Sequence, residues 1–193
     1  MSNKIIVLTG FSGAGKDALT KYISENYNYS MIISHTSRPM RPNESECNLY
    51  YFISRNQFEE MINNNEFIEC RKYNTLVNNV PDIWYYGVHK DSIDLNKNSY
   101  IVVLDMLGLK EFKKHFGDKI VSFFIYVNEP ERKRRASLSR KDFDKTEWNR
   151  RYIDDMVQFP EELIRQEVNY IVPNNEFYNC VNVIMDKIGG NFD

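Results

Sequence analysis

The sequence has few cysteines, little net charge and no long apolar run, and each shortage excludes a class of protein. Three cysteines occur among 193 residues, an odd number without metal-site spacing, so reduced thiols in a cytoplasmic protein are expected. The formal net charge of −2 argues against a nucleic-acid partner, which would need a cationic surface. No apolar stretch approaches the roughly 18 residues of a membrane span, and residues 1–9 have the character of a core strand, not of a signal peptide.

Length and composition fit one α/β domain with a small insertion. Hydrophobic residues make up 42% of the chain, which is enough for a core. Apolar runs predict buried parallel strands at Ile5–Leu8, Met31–Ile33, Tyr100–Leu104, Val121–Val127 and Asn169–Val172. Helical segments lie between most of them, at Asp17–Asn26, Leu107–Phe116, Pro130–Leu138, Glu147–Glu167 and Glu176–Ile188. This alternation predicts a parallel sheet with helices on both faces.

Two regions depart from the alternation. Residues 34–90 are interpreted as an inserted antiparallel subdomain, with short strands at Leu49–Ile53, Glu66–Lys72 and Ile83–Val88 and one helix at Gln57–Asn63. Within it, the polar stretch Asn74–Asp82 is predicted to be a loop. The segment Arg132–Trp148 is densely charged and poor in core residues, which favours a mobile lid.

A glycine-rich segment between the first strand and the first helix predicts a nucleoside triphosphate site. Gly10-Phe11-Ser12-Gly13-Ala14-Gly15-Lys16 follows an apolar strand and precedes a helical segment, and its glycines let backbone N–H groups point at phosphates. The helix N-terminus adds partial positive charge, and Lys16 adds a full charge that can reach the outer phosphates. The predicted ATP-binding residues are Gly10, Ser12, Gly13, Ala14, Gly15, Lys16, Asp17 and Ala18.

Asp17 stands where this motif normally carries a serine or threonine hydroxyl for Mg²⁺. Mg²⁺ accepts carboxylates and keeps several waters. Asp17 is therefore predicted to hold the metal that accompanies ATP, directly or through water.

A second cluster of residues suits another phosphate group. Arg38 and Arg41 lie three residues apart in a segment made rigid by Pro39 and Pro42. Arginine presents a fixed fork of donors that matches phosphate oxygens. A solvated loop with incidental arginines is the alternative, which the preceding phosphate loop disfavours.

With these elements, the sequence resembles the guanylate kinase family over nearly its whole length. The matching segments are Gly10–Lys16, Ser34–Glu44, Tyr50-Tyr51-Phe52, Phe58–Glu69, Tyr86-Gly87, Leu104-Asp105 and Gly108. The resemblance implies an α/β fold of the P-loop type, with a parallel core sheet, an inserted antiparallel nucleotide-binding subdomain and a helical lid. It divides the single domain 1–193 into a core (1–33, 91–131 and 152–193), a subdomain (34–90) and a lid (132–151).

The resemblance also implies a reaction, the transfer of a phosphoryl group from ATP to a nucleoside monophosphate, with Mg²⁺ as cofactor and GMP or dGMP as the expected acceptor. Its acceptor-binding residues map to Ser34, Arg38, Arg41, Glu44, Tyr50, Glu69, Tyr86 and Asp105. Of these, Glu69 and Asp105 would hold the base, since adjacent N1–H and 2-amino donors of guanine suit a carboxylate. The implied catalytic residues are Lys16, Arg38, Arg135, Arg140 and Arg151, with Arg132, Arg134 and Arg150 as competitors in the lid.

Departures from the family pattern cluster near the base pocket. Val88 and His89 stand where the family usually has hydroxyl residues, one of which donates to guanine O6, and Val103 stands where a first aspartate is frequent. A kinase with relaxed base selectivity is therefore one alternative to a guanine-specific enzyme. A catalytically inactive binding module is a second, although the intact phosphate loop argues against it. The sequence leaves a monomer and a homodimer both open.

Overall fold

A parallel sheet flanked by helices and a second, smaller sheet make up the fold, as the resemblance predicts. The protein is described by a computed structural model, which covers residues 3–40, 50–77, 80–139 and 145–189. Its strands are β1 (Ile5–Thr9), β2 (Tyr29–Met31), β3 (Ser34–Thr36), β4 (Tyr50–Phe52), β5 (Phe67–Val77), β6 (Val80–His89), β7 (Ser99–Val103), β8 (Ile120–Tyr126) and β9 (Tyr170–Pro173). Its helices are α1 (Lys16–Asn26), α2 (Arg55–Asn63), α3 (Met106–Phe116), α4 (Glu129–Ser139), α5 (Lys145–Gln158), α6 (Glu161–Glu167) and α7 (Phe177–Ile188).

The larger sheet is parallel, in the order β2-β7-β1-β8-β9. The central strand is β1, and every residue of Ile5–Thr9 is buried. Successive side chains of a strand point to opposite faces. Ile5 and Val7 accordingly pack with Phe112 of α3 on one face, while Ile6 and Leu8 pack with residues of α1 and α7 on the other. A strand buried on both faces explains the unbroken apolar run.

The smaller sheet has the order β4-β3-β6-β5 and its own apolar cluster. Phe58 of α2 stacks on Phe67, with ring centroids 4.5 Å apart, and on Tyr85 at 5.2 Å. Ser54 begins α2 with a capping box, in which its hydroxyl accepts from the Gln57 N–H and the Gln57 side chain accepts from the Ser54 N–H. The ring contacts hold α2 against the sheet, and the capping box stabilises the start of the helix.

Several predicted boundaries are wrong. The second core strand is Tyr29–Met31 and not Met31–Ile33. Strands β3 and β4 pair in parallel, so the smaller sheet is mixed and not purely antiparallel. The predicted loop Asn74–Asp82 is largely strand, because β5 and β6 continue as a paired ribbon to Val77 and Val80. Asn74, Val80 and Pro81 of this ribbon are exposed, so its described side chains form no buried face with the hydrophobic pattern of a core strand.

One further prediction fails in the C-terminal third of the chain. The helix predicted for Glu147–Glu167 is two helices, because Pro160 has no N–H to continue the first one. In the described part of segment 132–148, Arg132, Ala136 and Trp148 are buried, and the other described side chains are exposed or half-buried. The buried cation at Arg132 has partners from other segments, since its Nη1 donates to the Ser12 carbonyl oxygen at 3.1 Å and lies 3.5 Å from Asp155 Oδ2. Among the described residues, no helix has the length and apolar character needed to cross a bilayer.

Candidate active site

The glycine-rich segment forms a loop at the carboxyl end of β1. Gly10, Gly13 and Gly15 all have positive φ angles, which other residues rarely adopt. A Cβ atom at Gly10 would lie 2.5 Å from the Ile125 carbonyl oxygen, so the loop fits against β8 only with glycine there. The loop ends where Lys16 begins α1, and the N–H groups of the first helical turn follow it.

The Lys16 ammonium group lies folded against its own loop. Its Nζ donates to the carbonyl oxygens of Gly10 at 2.6 Å and Phe11 at 3.0 Å. Burial lowers the pKa of Lys16, while the nearby Asp17 and Asp155 carboxylates raise it. The ammonium group thus lies over the loop, next to the position that a phosphate group bound by the loop would occupy.

Three residues from distant segments support the loop, and of these only Arg132 was named from the sequence, as a competing lid arginine. The Asn174 side-chain amide, which is buried, donates to the Ala14 carbonyl oxygen at 2.8 Å. The Arg132 Nη1 donates to the Ser12 carbonyl oxygen at 3.1 Å, and its guanidinium lies 4.7 Å from the centre of the Phe11 ring. The third is Asp155 of α5, described next.

The Asp155 carboxylate contacts the phosphate loop directly. Its Oδ2 accepts from the Ser12 backbone N–H at 2.7 Å, and its Oδ1 accepts from the Ser12 hydroxyl at 3.2 Å. Burial raises its pKa, while the Ser12 hydrogen bonds and the charges of Lys16 and Arg132 lower it. An anion from the protein itself therefore occupies one of the loop's donors.

The arginine segment begins after β3 and packs against aromatic rings. Arg38 is buried, its Nη1 donates to the Pro39 carbonyl oxygen at 2.9 Å, and its guanidinium lies 5.2 Å from the centres of the Tyr50 and Phe52 rings. The Tyr50 ring in turn contacts the Tyr86 ring at 5.7 Å. Two other predicted acceptor residues, Arg41 and Glu44, lie outside the described residues.

Glu69 and Asp105 meet across the two sheets, together with two residues that were not predicted. Glu69 is buried, and this burial raises its pKa to about 7 although the Arg71 guanidinium opposes the shift. Arg71 Nε donates to Asp105 Oδ1 at 3.2 Å, and the Tyr73 hydroxyl donates to Asp105 Oδ2 at 2.8 Å. Arg71 and Tyr73 follow Glu69 at alternate positions of β5, which places all three on one face. That spacing is the signal that could have identified them.

Asp105 has a second task, because it is the N-cap residue of α3. Its Oδ1 accepts from the Gly108 N–H at 2.6 Å, which satisfies a helix N–H that has no partner within the helix. The carboxylate is therefore held in one orientation by the helix, the Arg71 guanidinium and the Tyr73 hydroxyl.

One cavity of about 360 Å³ joins these groups. It brings together most of the residues predicted from the sequence, namely Gly10, Ser12, Lys16, Asp17, Ser34, Arg38, Tyr50, Glu69, Tyr86, Asp105 and Arg151. Arg71, Tyr73, Trp84 and Asp155 also line it. Five predicted site residues are not among those that line the described part of the cavity, namely Gly13, Ala14, Gly15, Ala18 and Arg135.

The predicted lid arginines have different surroundings. Arg135 of α4 donates through Nε to Glu131 Oε1 at 2.8 Å and through Nη2 to the Asn174 carbonyl oxygen at 2.9 Å, which places it behind the phosphate loop. Arg151 of α5 lies in the cavity wall. Arg140 lies outside the described residues.

The residues beside the phosphate loop suit a metal ion that is bound jointly by the protein and by nucleotide phosphates. The described residues there are too few to hold a metal ion by themselves. Within the described ranges, no cluster of three or more His, Cys, Asp or Glu side chains could hold a metal ion. Asp17 is exposed in the first turn of α1 and lines the cavity. Mg²⁺ is commonly bound by one or two carboxylates plus phosphate oxygens, and Asp17 provides one carboxylate.

The fold and this cavity define a P-loop kinase that acts on nucleoside monophosphates. The family model described as guanylate kinase matches residues 2–189. The chain is 31% identical over 187 residues to guanylate kinase of Francisella tularensis subsp. holarctica, covering 92% of this chain and 91% of that protein. It is 33% identical over 129 residues to guanylate kinase of Bacteroides thetaiotaomicron, covering 65% of this chain and 60% of that protein.

The solved structures agree on the fold. Guanylate kinase from Anaplasma phagocytophilum matches 97% of this chain and 85% of that chain, with a TM-score of 0.70 and 21% sequence identity. The chain belongs to the guanylate kinase family. The resemblance inferred from the motifs is therefore confirmed.

Proposed function

We propose that the protein transfers the γ-phosphoryl group of ATP to GMP or dGMP, producing ADP and GDP or dGDP. One observation carries this assignment: a single cavity runs from Lys16 on the phosphate loop, past Arg38, to the buried carboxylate of Glu69. These three groups suit a triphosphate, the phosphate of an acceptor and a guanine edge respectively. An oxygen of the acceptor phosphate attacks the γ-phosphorus, and the bond to the β–γ bridging oxygen breaks.

At the donor end, the phosphate loop binds the triphosphate. Its N–H groups and the N-terminus of α1 face the β-phosphate, and Lys16 exchanges the Gly10 and Phe11 carbonyl oxygens for phosphate oxygens. Asp17 would hold Mg²⁺ with ATP, where the metal would neutralise charge on the phosphates. The remaining predicted loop residues, Gly13, Ala14, Gly15 and Ala18, shape the loop and the start of the helix.

At the acceptor end, Arg38 holds the acceptor phosphate and bridges it to the donor. Its guanidinium is fixed by the Tyr50 and Phe52 rings, so little side-chain freedom is lost when phosphate binds. Ser34, Tyr50 and Tyr86 line the same part of the cavity and can donate hydroxyl hydrogen bonds. Arg41 and Glu44 complete this group by resemblance.

The proposed lid is the segment 132–151, between the core (1–33, 91–131 and 152–193) and the acceptor subdomain (34–90). Arg151 is assigned to the reacting phosphates by resemblance, and both it and its competitor Arg150 line the cavity. Arg135 and Arg140 are assigned to the same task by resemblance. Closure over both nucleotides would exclude water and strengthen each charge contact.

The proposal extends to cellular context. We expect a cytoplasmic enzyme that works with ATP, Mg²⁺ and a guanine nucleotide, as a monomer or homodimer, without nucleic acid or membrane partners.

A coupled assay of ADP release tests the proposal. Purified protein is mixed with ATP, Mg²⁺ and, separately, GMP, dGMP, AMP, dAMP, CMP, UMP and dTMP, with the Lys16→Met variant as the control for contaminating kinases. Turnover with GMP and dGMP alone supports the assignment. Turnover with several bases indicates relaxed selectivity, and no turnover despite measurable binding of ATP or GMP indicates a binding module.

A further inference from the structure

The base end of the cavity lacks a hydroxyl donor at the residue that pairs with Glu69. Val88 of β6 lies opposite Glu69 of β5. Its side chain is fully buried and packs with Leu104 and Met106. Guanine presents two adjacent donors, N1–H and the 2-amino group, beside the O6 acceptor. A pocket that reads all three groups needs a donor next to its carboxylate, and Val88 does not supply one.

Arg71 places a donor group beside Glu69. It follows Glu69 by two residues on β5, so both side chains lie on the face toward the cavity, and Arg71 lines that cavity. Its Nε donates to Asp105 Oδ1 at 3.2 Å and its Nη1 to the Cys70 carbonyl oxygen at 2.7 Å. These two contacts fix the plane of the guanidinium group.

The third nitrogen of Arg71, Nη2, meets no hydrogen-bond acceptor in the described part of the chain. Its Nη2 is shielded from solvent and has no partner among the described residues. Glu69 Oε2 is 3.9 Å away, which is close enough for charge attraction but too far for a hydrogen bond. A shielded donor without an acceptor is unfavourable. An oxygen supplied by a ligand beside Glu69 would satisfy it.

We propose that Arg71 is a specificity-determining residue, whose guanidinium donates to the carbonyl oxygen at position 6 of the acceptor base while Glu69 accepts from N1–H and the 2-amino group. This inference rests on the proposed function, because it concerns the same acceptor site. Arginine pairs readily with guanine O6 in other recognition settings. Adenine has an amino group at position 6 and no N1–H, so it would face donor against donor and leave Glu69 without partners.

Asp105 then acts as a positioning residue. Its two oxygens already accept from the Gly108 N–H, Arg71 Nε and the Tyr73 hydroxyl. Because the Asp105 carboxylate already accepts these three hydrogen bonds, its main role is to orient Arg71 and not to bind the base. The guanine pattern would therefore be read by Glu69 and Arg71, with Asp105 behind them.

Position 6 of the base can be altered without changing the other two groups. In 6-thioguanosine 5′-monophosphate, sulfur replaces O6 and is a weaker acceptor, while N1–H and the 2-amino group remain. The measurement is kcat/KM for GMP and for this thio analogue, in the wild type and in Arg71→Met. We expect Arg71→Met to lower kcat/KM for GMP by about tenfold or more, and to reduce the preference for GMP over the thio analogue at least about threefold.

Tyr73→Phe is the matched control. Tyr73 lies on the same face of β5 as Arg71 and also donates to Asp105. The substitution removes that hydrogen bond but leaves the Arg71 guanidinium in place. It is expected to keep the preference of the wild type. Arg71→Lys is the second variant, since it keeps the positive charge beside Glu69 without the fork; it should reduce the same preference even if Arg71→Met does not fold.

The outcomes separate the two levels of the proposal. If the folded Arg71 variants lose activity equally toward both nucleotides, Arg71 only balances the charge of Glu69 and the inference is wrong. If the wild type phosphorylates GMP but Tyr73→Phe changes the preference as much as Arg71→Met, the donor role is also wrong. If the wild type phosphorylates neither nucleotide, the proposed function fails, and the inference fails with it.

Discussion

At the phosphate-loop end of the cavity, the groups that face a ligand are backbone N–H groups and one lysine, all within a few consecutive residues. At the base end they are the side chains of Glu69 and Arg71 on β5. Arg71 is held in place by Asp105 at the start of α3, and Asp105 in turn accepts from Tyr73. Main-chain donors are available in any sequence that can fold the loop, whereas a side-chain network depends on the identity of each member. The first end recognises a chemical group that all nucleotides share, and the second can distinguish one base from another.

The largest test of this difference is Lys16→Met. The substitution removes the cation held over the loop, so charge on the transferring group is no longer neutralised there. We expect turnover to fall about 10³-fold, by the same factor for every acceptor nucleotide. Steady-state assays with GMP and dGMP measure this.

Lys21→Met is the control for Lys16→Met, because Lys21 lies on the same helix but pairs on the surface with Glu25. It should retain wild-type turnover. Unequal losses for GMP and dGMP in Lys16→Met would show that the phosphate-loop end also distinguishes acceptors, and the contrast between the two ends would fail.

At the base end, Glu69→Gln should affect guanine nucleotides selectively. The amide can accept one hydrogen bond but also brings donors of its own, so it no longer matches two adjacent donors. We expect kcat/KM for GMP to fall about 100-fold, while the Kd of ATP measured by calorimetry stays within about twofold. An equal loss of ATP affinity would mean that Glu69 supports the fold and does not read the base.

The pKa of Glu69, about 7, adds a pH dependence to this prediction. The ionised form accepts both guanine donors, so the kcat/KM ratio of wild type to Glu69→Gln should fall as the pH is lowered through 7. Folding raises this pKa from 4.5, so the folded state binds the proton more tightly than the unfolded state does. The contribution of Glu69 to the free energy of unfolding therefore decreases as the pH rises from 4.5 to 7. Thermal unfolding of Glu69→Gln should show a shallower decrease over that range.

The smallest expected effect concerns Asp17. Asp17→Ala removes a carboxylate from the cavity mouth, and we expect the Mg²⁺ concentration for half-maximal turnover to rise about threefold to tenfold. ATP affinity measured in the presence of EDTA is the control, and it should not weaken. Unchanged Mg²⁺ dependence would remove any metal role for Asp17 and leave the donor end dependent on the loop and Lys16.

The contrast between the two ends also explains what could be predicted from the sequence. The phosphate loop is contiguous, so its glycines and Lys16 identify it directly. Glu69 and Asp105 could be found only through the family resemblance, because 36 positions separate them. Arg71 and Tyr73 were accessible through their alternate spacing from Glu69, but their partner on α3 depends on how the two sheets pack.

Other contacts could not have been predicted from local patterns. Asp155 and Arg132 both have the sequence character of solvated helix faces, yet both are buried against Ser12. A polar side chain in a helix can be surface or interior, and only tertiary partners decide. The ribbon at the ends of β5 and β6 was missed for the opposite reason, since Asn74, Val80 and Pro81 are exposed and its described side chains form no buried face that would mark it as a strand.

The Asn174 amide that donates to the Ala14 carbonyl oxygen joins positions 160 residues apart. The phosphate loop is therefore synthesised long before this support emerges from the ribosome. The neighbours of β1 in the sheet, β7 and β8, are also made long after it. Such distant pairings slow folding. During translation the newly made loop therefore lacks its Asn174 partner until 160 further residues have been added.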